Sequence, residues 1–166
     1  YRHHDYKDST DDRVQALAVI AGIADRTKYP DIIKLLNTQF YASPYMEKYV
    51  MEALFIMGEG KYAMERTKSR FSNMVDDKGY TTLFEGWDVG GYGGGSANHA
   101  WSGGALTVLA QYLCGIYPLE PGYKVFKIEP NPASLSDASI TIPSVAGKIK
   151  SGFVNTDNEF LLKFSV

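Results

Sequence analysis

Cysteine is nearly missing from this chain. Cys114 is its single one, so no internal disulfide can form, and its place in the apolar run LTVLAQYLCGI marks it as a small buried hydrophobe that says nothing of compartment. Histidine is scarce as well, at 3 residues. His3 and His4 beside Asp5 lack the spacing of a ligand set, and as neighbours on a terminus they are expected to point apart at the surface. No metal and no cofactor is therefore expected. Basic charge is not in excess: 17 Lys and Arg stand against 19 Asp and Glu, for a net charge of -2. That gives no reason to expect nucleic acid or an anionic membrane as a partner, because both need a basic face. No stretch approaches the roughly 20 apolar residues that span a bilayer, and the start YRHHDYKDSTDD is polar, unlike a signal peptide. There is no Asn-x-Ser/Thr acceptor, and no Ser or Cys sits in a nucleophile motif. The chain opens on Tyr1 rather than Met, which suggests a mature product, a proteolytic remnant or an excised segment.

Apolar residues, by contrast, are plentiful. At 45% hydrophobic and 22% charged, the 166 residues lie in the globular range and can bury a core. Aromatics are the informative excess, 12 Tyr, 8 Phe and 2 Trp. A large aromatic core or a carbohydrate-handling surface would each account for them.

The hydrophobic period changes near Pro118 to Gly122. Before it the spacing predicts five helices. Asp11 and Asp12 cap the first, with Val14, Leu17, Ala18 and Ala21 as its apolar positions. Pro30 opens the second and Ser43-Pro44 the third, where Tyr45, Tyr49, Val50, Ala53, Leu54 and Met57 are expected inward. A fourth is expected from about Lys61 to Met74 and a fifth from near Ser96 through Ile116, joined as antiparallel hairpins. After the change, apolar residues alternate in four stretches, around Tyr123 to Ile128, Ala138 to Ile142, Ile149 to Phe153 and Phe160 to Val166. They predict antiparallel strands that cannot stand alone. The expected fold class is mainly α plus β, with residues 1–119 helical and 120–166 stranded. Both halves look incomplete, as pieces of a larger architecture.

The candidate site lies in TTLFEGWDVGGYGGGSANHAWSGG, residues 81–104. Glu85 sits between Phe84 and Trp87, and rings both desolvate a carboxyl group and offer flat faces to a pyranose. A carboxylate in that setting can activate water at an anomeric carbon; a loop glutamate paired with Lys or Arg is the other reading. Trp87, two residues on, turns to the same side if the segment is extended, and is otherwise core. His99 can bond a sugar hydroxyl or a backbone carbonyl, and Trp101 is expected to pack. The glycines at 90, 91, 93, 94 and 95 do not match a phosphate loop in register and suit a mobile cover over a pocket. Asp88 fits either a second carboxylate or a turn cap before them, and Asp76 with Asp77 a solvated helix end.

TTLFEGW, followed by NHAWSGGALTVLAQYLCGIYPLEPGYKVFKIEPNP and then SVAGKIKSGF, resembles the C-terminal part of bacterial α-L-rhamnosidases, glycoside hydrolase family 78, over residues 12–166. The elements carrying the resemblance are Thr-x-x-Glu-x-Trp, the Asn-His pair before a helix, the Pro-Gly-Tyr exit into strands and Gly-Lys-Ile-Lys. The resemblance implies the last helical hairpins of an (α/α)6 barrel joined to a C-terminal β-sandwich, and inverting, metal-independent hydrolysis by two carboxylates. Inversion needs about 6.5 to 9.5 Å between them, to admit water. It further implies Glu85 as general base, His99 against the bound sugar, a carbohydrate substrate, and a bacterial periplasmic or secreted location. The general acid would lie upstream of Tyr1, so the isolated segment is expected to be inactive and to associate with itself or with the missing N-terminal part. The stretch from Glu85 to His99 is shorter and richer in glycine than the family pattern, which leaves the sugar open. Two rivals are a non-catalytic carbohydrate-binding or structural module and a helical-toroid glycosidase for another sugar.

Overall fold

Asp11 starts the first helix. Its carboxylate accepts from the Arg13 and Val14 backbone N–H groups and so caps α1, Asp12–Ile20. The computed structural model describes residues 1–90 and 95–166 of the chain. Pro30 lies in the first turn of α2, Tyr29–Leu36. Ser43 caps α3, Pro44–Ile56, by accepting from Met46 N–H at 3.3 Å. The last long helix, α4, runs Gly60–Val75. Helix α3 packs between α1 and α4. These elements belong to the first of two compact units, Tyr1–Ala105; the second is Leu106–Val166.

The inward faces depart from the apolar pattern. On α1, Val14 and Leu17 are 44% exposed, while Asp12, Gln15, Ala16, Ala18 and Val19 are buried. On α3, Val50, Met51, Ala53, Leu54 and Phe55 are buried together with Glu47, whereas Tyr45 lies exposed. The reason is a charged cluster at the centre of the helices. The Arg66 guanidinium donates to both Glu47 carboxylate oxygens, to Asp12 Oδ2 at 2.7 Å, and to the carbonyls of Leu36 and Gln39. All three charged side chains are fully buried. Burial alone would lower the Arg66 guanidinium, but the Glu47 and Asp12 carboxylates outweigh it and raise it above its ordinary value. Arg70 adds a 3.5 Å ion pair to Glu47 and donates to the Ala42 carbonyl at 2.6 Å; burial leaves its own guanidinium lowered. Orienting the helices to converge these four charges turns Val14 and Leu17 outward.

The fifth helix predicted from Ser96 to Ile116 is broken into three pieces. A 3-10 turn covers Ala100–Gly103, α5 covers Gly104–Val108, and a π-helical turn covers Leu109–Leu113. The second unit then continues with strands. β1, Ile116–Pro118, and β2, Phe126–Ile128, form an antiparallel pair with Tyr117 opposite Lys127. β3, Asp137–Ser144, β4, Gly147–Asn155, and β5, Phe160–Ser165, form an antiparallel sheet in that order. The alternation therefore locates the strands, and β1 is an addition, three residues long and ending at Pro118. Ile149 and Phe153 are buried, and Ser151 between them donates to the Cys114 carbonyl at 2.8 Å, tying β4 to the end of the π turn. Cys114 is buried as expected, and burial pushes its thiol up, away from reactivity. The change of period at Pro118 to Gly122 falls inside this unit. The architecture is α plus β, and among the described residues no helix is long and apolar enough to cross a membrane.

Candidate functional site: a clamped carboxylate beside His99

Two segments of the first unit run back against each other and hold Glu85 between them. Glu85 N–H donates to the Ser96 carbonyl at 2.9 Å, His99 N–H donates to the Leu83 carbonyl at 2.9 Å, and the Thr82 hydroxyl donates to the Ala97 carbonyl. The side chain is tied as well as the backbone. Ser96 N–H donates to Glu85 Oε2 at 2.9 Å, a charge-assisted bond that fixes one carboxylate oxygen. Gly95 permits this closure, because a Cβ there would stand 3.3 Å from Glu85 Cβ and 3.7 Å from Oε2.

His99 faces the same carboxylate. Its Nδ1 lies 3.6 Å from Glu85 Oε2 and 3.1 Å from Ser96 Oγ. When the Ser96 hydroxyl donates to the Asn98 carbonyl, at 3.3 Å, its oxygen accepts from Nδ1–H. Nε2 then carries a lone pair on the opposite edge of the ring. The Glu85 and His99 side chains are 37% and 33% exposed, so both are shielded yet reachable.

The two tryptophans occupy different settings. Trp87 Nε1–H donates to the Ala42 carbonyl at 2.9 Å, its ring meets Phe71 edge to face at 5.2 Å, and the Arg70 guanidinium lies over it at 4.1 Å. It is half-buried against the helices and their charged cluster, where desolvated cation–π contact adds to its hold. Trp101 was expected to pack. Its indole N–H donates to the Glu85 carbonyl at 3.3 Å and its ring centre stands 4.0 Å from that of His99 and 5.4 Å from that of Tyr45. At 42% exposure it presents an aromatic surface beside the carboxylate. Next to it, Ser102 is buried and donates to the Phe84 carbonyl.

Asp88 is exposed and Gly90 N–H reaches the Gly95 carbonyl at 3.4 Å. Gly91, Gly93 and Gly94, central to the expected mobile cover, lie outside the described residues. Asp77 accepts from Gly79 N–H at 2.7 Å, as suits a solvated helix end. The terminal histidines do not point apart. A turn in which Tyr6 N–H bonds the His3 carbonyl brings the His3 and His4 rings to 4.5 Å, and their donor atoms with one from Asp5 lie within 4.8 Å of one another, all exposed.

Residues 115–166 match the family model of the bacterial alpha-L-rhamnosidase C-terminal domain. The chain is α-L-rhamnosidase-like in its C-terminal part. The match begins at Gly115, inside the second unit, and supports a relationship to glycoside hydrolases. The Thr82 to Trp87 and Asn98 to Trp101 motifs lie outside it. None of the curated proteins compared with the chain matches it.

Proposed function

We propose that the chain is the C-terminal portion of an inverting glycoside hydrolase that removes terminal α-L-rhamnosyl or similar deoxy-sugar residues, with Glu85 as the general base. The observation that carries this reading is the clamp on Glu85: a carboxylate about a third exposed, whose orientation is fixed by Ser96 N–H and whose flank is His99. A base must be held where it can take a proton from the attacking water, and in its ionised form this carboxylate can do so. The water's oxygen bonds to the anomeric carbon as the glycosidic bond breaks, and the departing oxygen receives a proton from an acid that this segment does not contribute.

His99 Nε2 accepts a hydrogen bond from a hydroxyl of the sugar, and Trp101 supplies the flat face expected of Trp87. Trp87 contributes by anchoring the Glu85 segment to the helices through Ala42 and Phe71. The five helices serve as the closing hairpins of an (α/α)6 barrel and the strands as part of a β-sandwich. Val14 and Leu17, outward on α1, are consistent with further helices beside them.

The test is Glu85→Gln in the full-length protein, assayed on nitrophenyl glycosides. Turnover is expected to fall on the order of a hundredfold to ten-thousandfold with substrate binding kept. Unchanged turnover would end the enzymatic reading, and activity on another glycoside alone would replace the sugar.

A further inference from the structure

A cavity of about 550 Å³ opens in the second unit among Gln111, Tyr112, Tyr117, Lys127, Glu129 and Asn131. That size is typical of small-molecule sites. Its walls are rigidly built. The π-helical turn carries Gln111 and Tyr112 to one side, and such turns occur often at functional positions. Gly115, at φ +75°, lets the Glu129-Pro130 backbone lie directly against it, where a Cβ would come within 2.2 Å of the Glu129 carbonyl carbon. Glu129 N–H bonds the Gly115 carbonyl at 2.9 Å and Asn131 N–H bonds the Tyr112 carbonyl at 3.0 Å, so the far wall is pinned at both ends.

We infer that this cavity is a second carbohydrate-binding site, for a neutral pyranose, separate from Glu85. The Tyr112 and Tyr117 rings meet edge to face at 6.0 Å and give the corner an aromatic face. The Gln111 amide and the Asn131 side chain stand beside them. Asn131 Oδ1 accepts from Ala133 N–H at 3.1 Å, which orients the amide so that its NH2 is the donor for a ligand hydroxyl. Charge selects the class. Lys127 Nζ pairs with Glu129 Oε2 at 2.7 Å and lies 5.4 Å from the Tyr117 ring centre, so the one cation and the one anion of the wall cancel each other. The Lys127 bond lowers the Glu129 carboxyl from its ordinary value, as a paired carboxylate requires. An apolar corner with amide donors and no net charge fits the faces and hydroxyls of an uncharged sugar.

The test is a ¹H–¹⁵N NMR titration of this chain with methyl α-L-rhamnopyranoside and methyl β-D-glucopyranoside as neutral probes and D-glucuronate as a charged one. Saturable shifts are expected at the Gln111 and Asn131 side-chain amides with at least one neutral probe, at millimolar concentration. Tyr117→Ala should weaken binding about tenfold, and Tyr117→Phe should leave most of it. Should Tyr117→Ala unfold the unit, Gln111→Ala decides, with a severalfold loss expected. Glu85→Gln should leave these shifts as they are, so failure of the proposed hydrolysis would not touch this site. Absence of saturable shifts, tighter binding of glucuronate than of either neutral probe, or unchanged binding in folded Tyr117→Ala or Gln111→Ala would overturn the inference.

Discussion

Two groups of polar side chains, each built round a carboxylate, lie in the first unit, and their settings differ. Asp12, Glu47 and Arg66 are sealed among α1, α3 and α4, with Arg66 donating to two carboxylates and two carbonyls. Glu85 and His99 are held as firmly by Ser96, yet about a third of each side chain meets solvent. Full burial with paired charges fixes how helices meet and leaves no room for a ligand. Partial burial with one oxygen fixed leaves the other side of the carboxylate available to a reacting molecule. The first group is closed to solvent and the second is reachable from it. The two groups are joined through Arg70, which pairs with Glu47 and covers Trp87, the anchor of the Glu85 segment.

The largest effect is expected at the sealed end. Arg66→Met should cost about 3 to 5 kcal/mol of stability, because it leaves buried Asp12 without its cation and Glu47 with only the 3.5 Å pair to Arg70, and urea titration followed by circular dichroism would measure it. Replacing Asp12, Glu47 and Arg66 together by Leu, Met and Met should recover much of that loss. If Arg66→Met costs less than about 1 kcal/mol, the sealed group is not what holds the helices. At the open end the effects should appear in substrate handling instead. Trp101→Ala in the full-length protein should raise KM about fivefold to tenfold, the worth of one aromatic face, while the melting temperature stays within a few degrees. A large drop in stability with KM unchanged would return Trp101 to packing.

The smallest effect belongs to Asp11, at the exposed rim of the sealed group. Asp11→Ala should remove about 1 kcal/mol through loss of the α1 cap. The Arg13 side-chain hydrogen bond, opposed in part by burial, lowers the Asp11 carboxyl from its ordinary value. Its contribution is therefore present above the unfolded carboxylate's pKa and disappears as pH falls through the lowered folded one. The difference between native and variant should shrink on acidification, and a difference that grows would contradict the cap.

Much of this was legible from residue types. The Ser43-Pro44 and Asp11 starts follow from capping chemistry, and the period of two located β3 to β5, because each depends only on near neighbours. The sealed group was not legible. A pattern that counts Arg66 and Glu47 as solvated misplaces the inward faces of α1 and α3, since their partners lie 19 and 54 positions apart in the chain. The same distance conceals how Trp87 is held, since its proximity to Glu85 in sequence gives no hint of its bond to Ala42, 45 positions away. Glu85 and His99 stand out in the sequence by type and spacing, but their meeting follows from a ladder between 82–85 and 96–99 that no alternation announces.

Azide rescue of Glu85→Ala in the full-length protein separates a base that activates water at the anomeric carbon from a residue that only shapes the loop. Azide attacks without losing a proton, so it needs no base. If Glu85 is that base, the variant barely hydrolyses an α-L-rhamnoside, millimolar azide restores turnover, and the product is the glycosyl azide of inverted configuration. Hydrolysis by Glu85→Ala at the native rate, or a lost activity that azide restores with retained configuration, would contradict it.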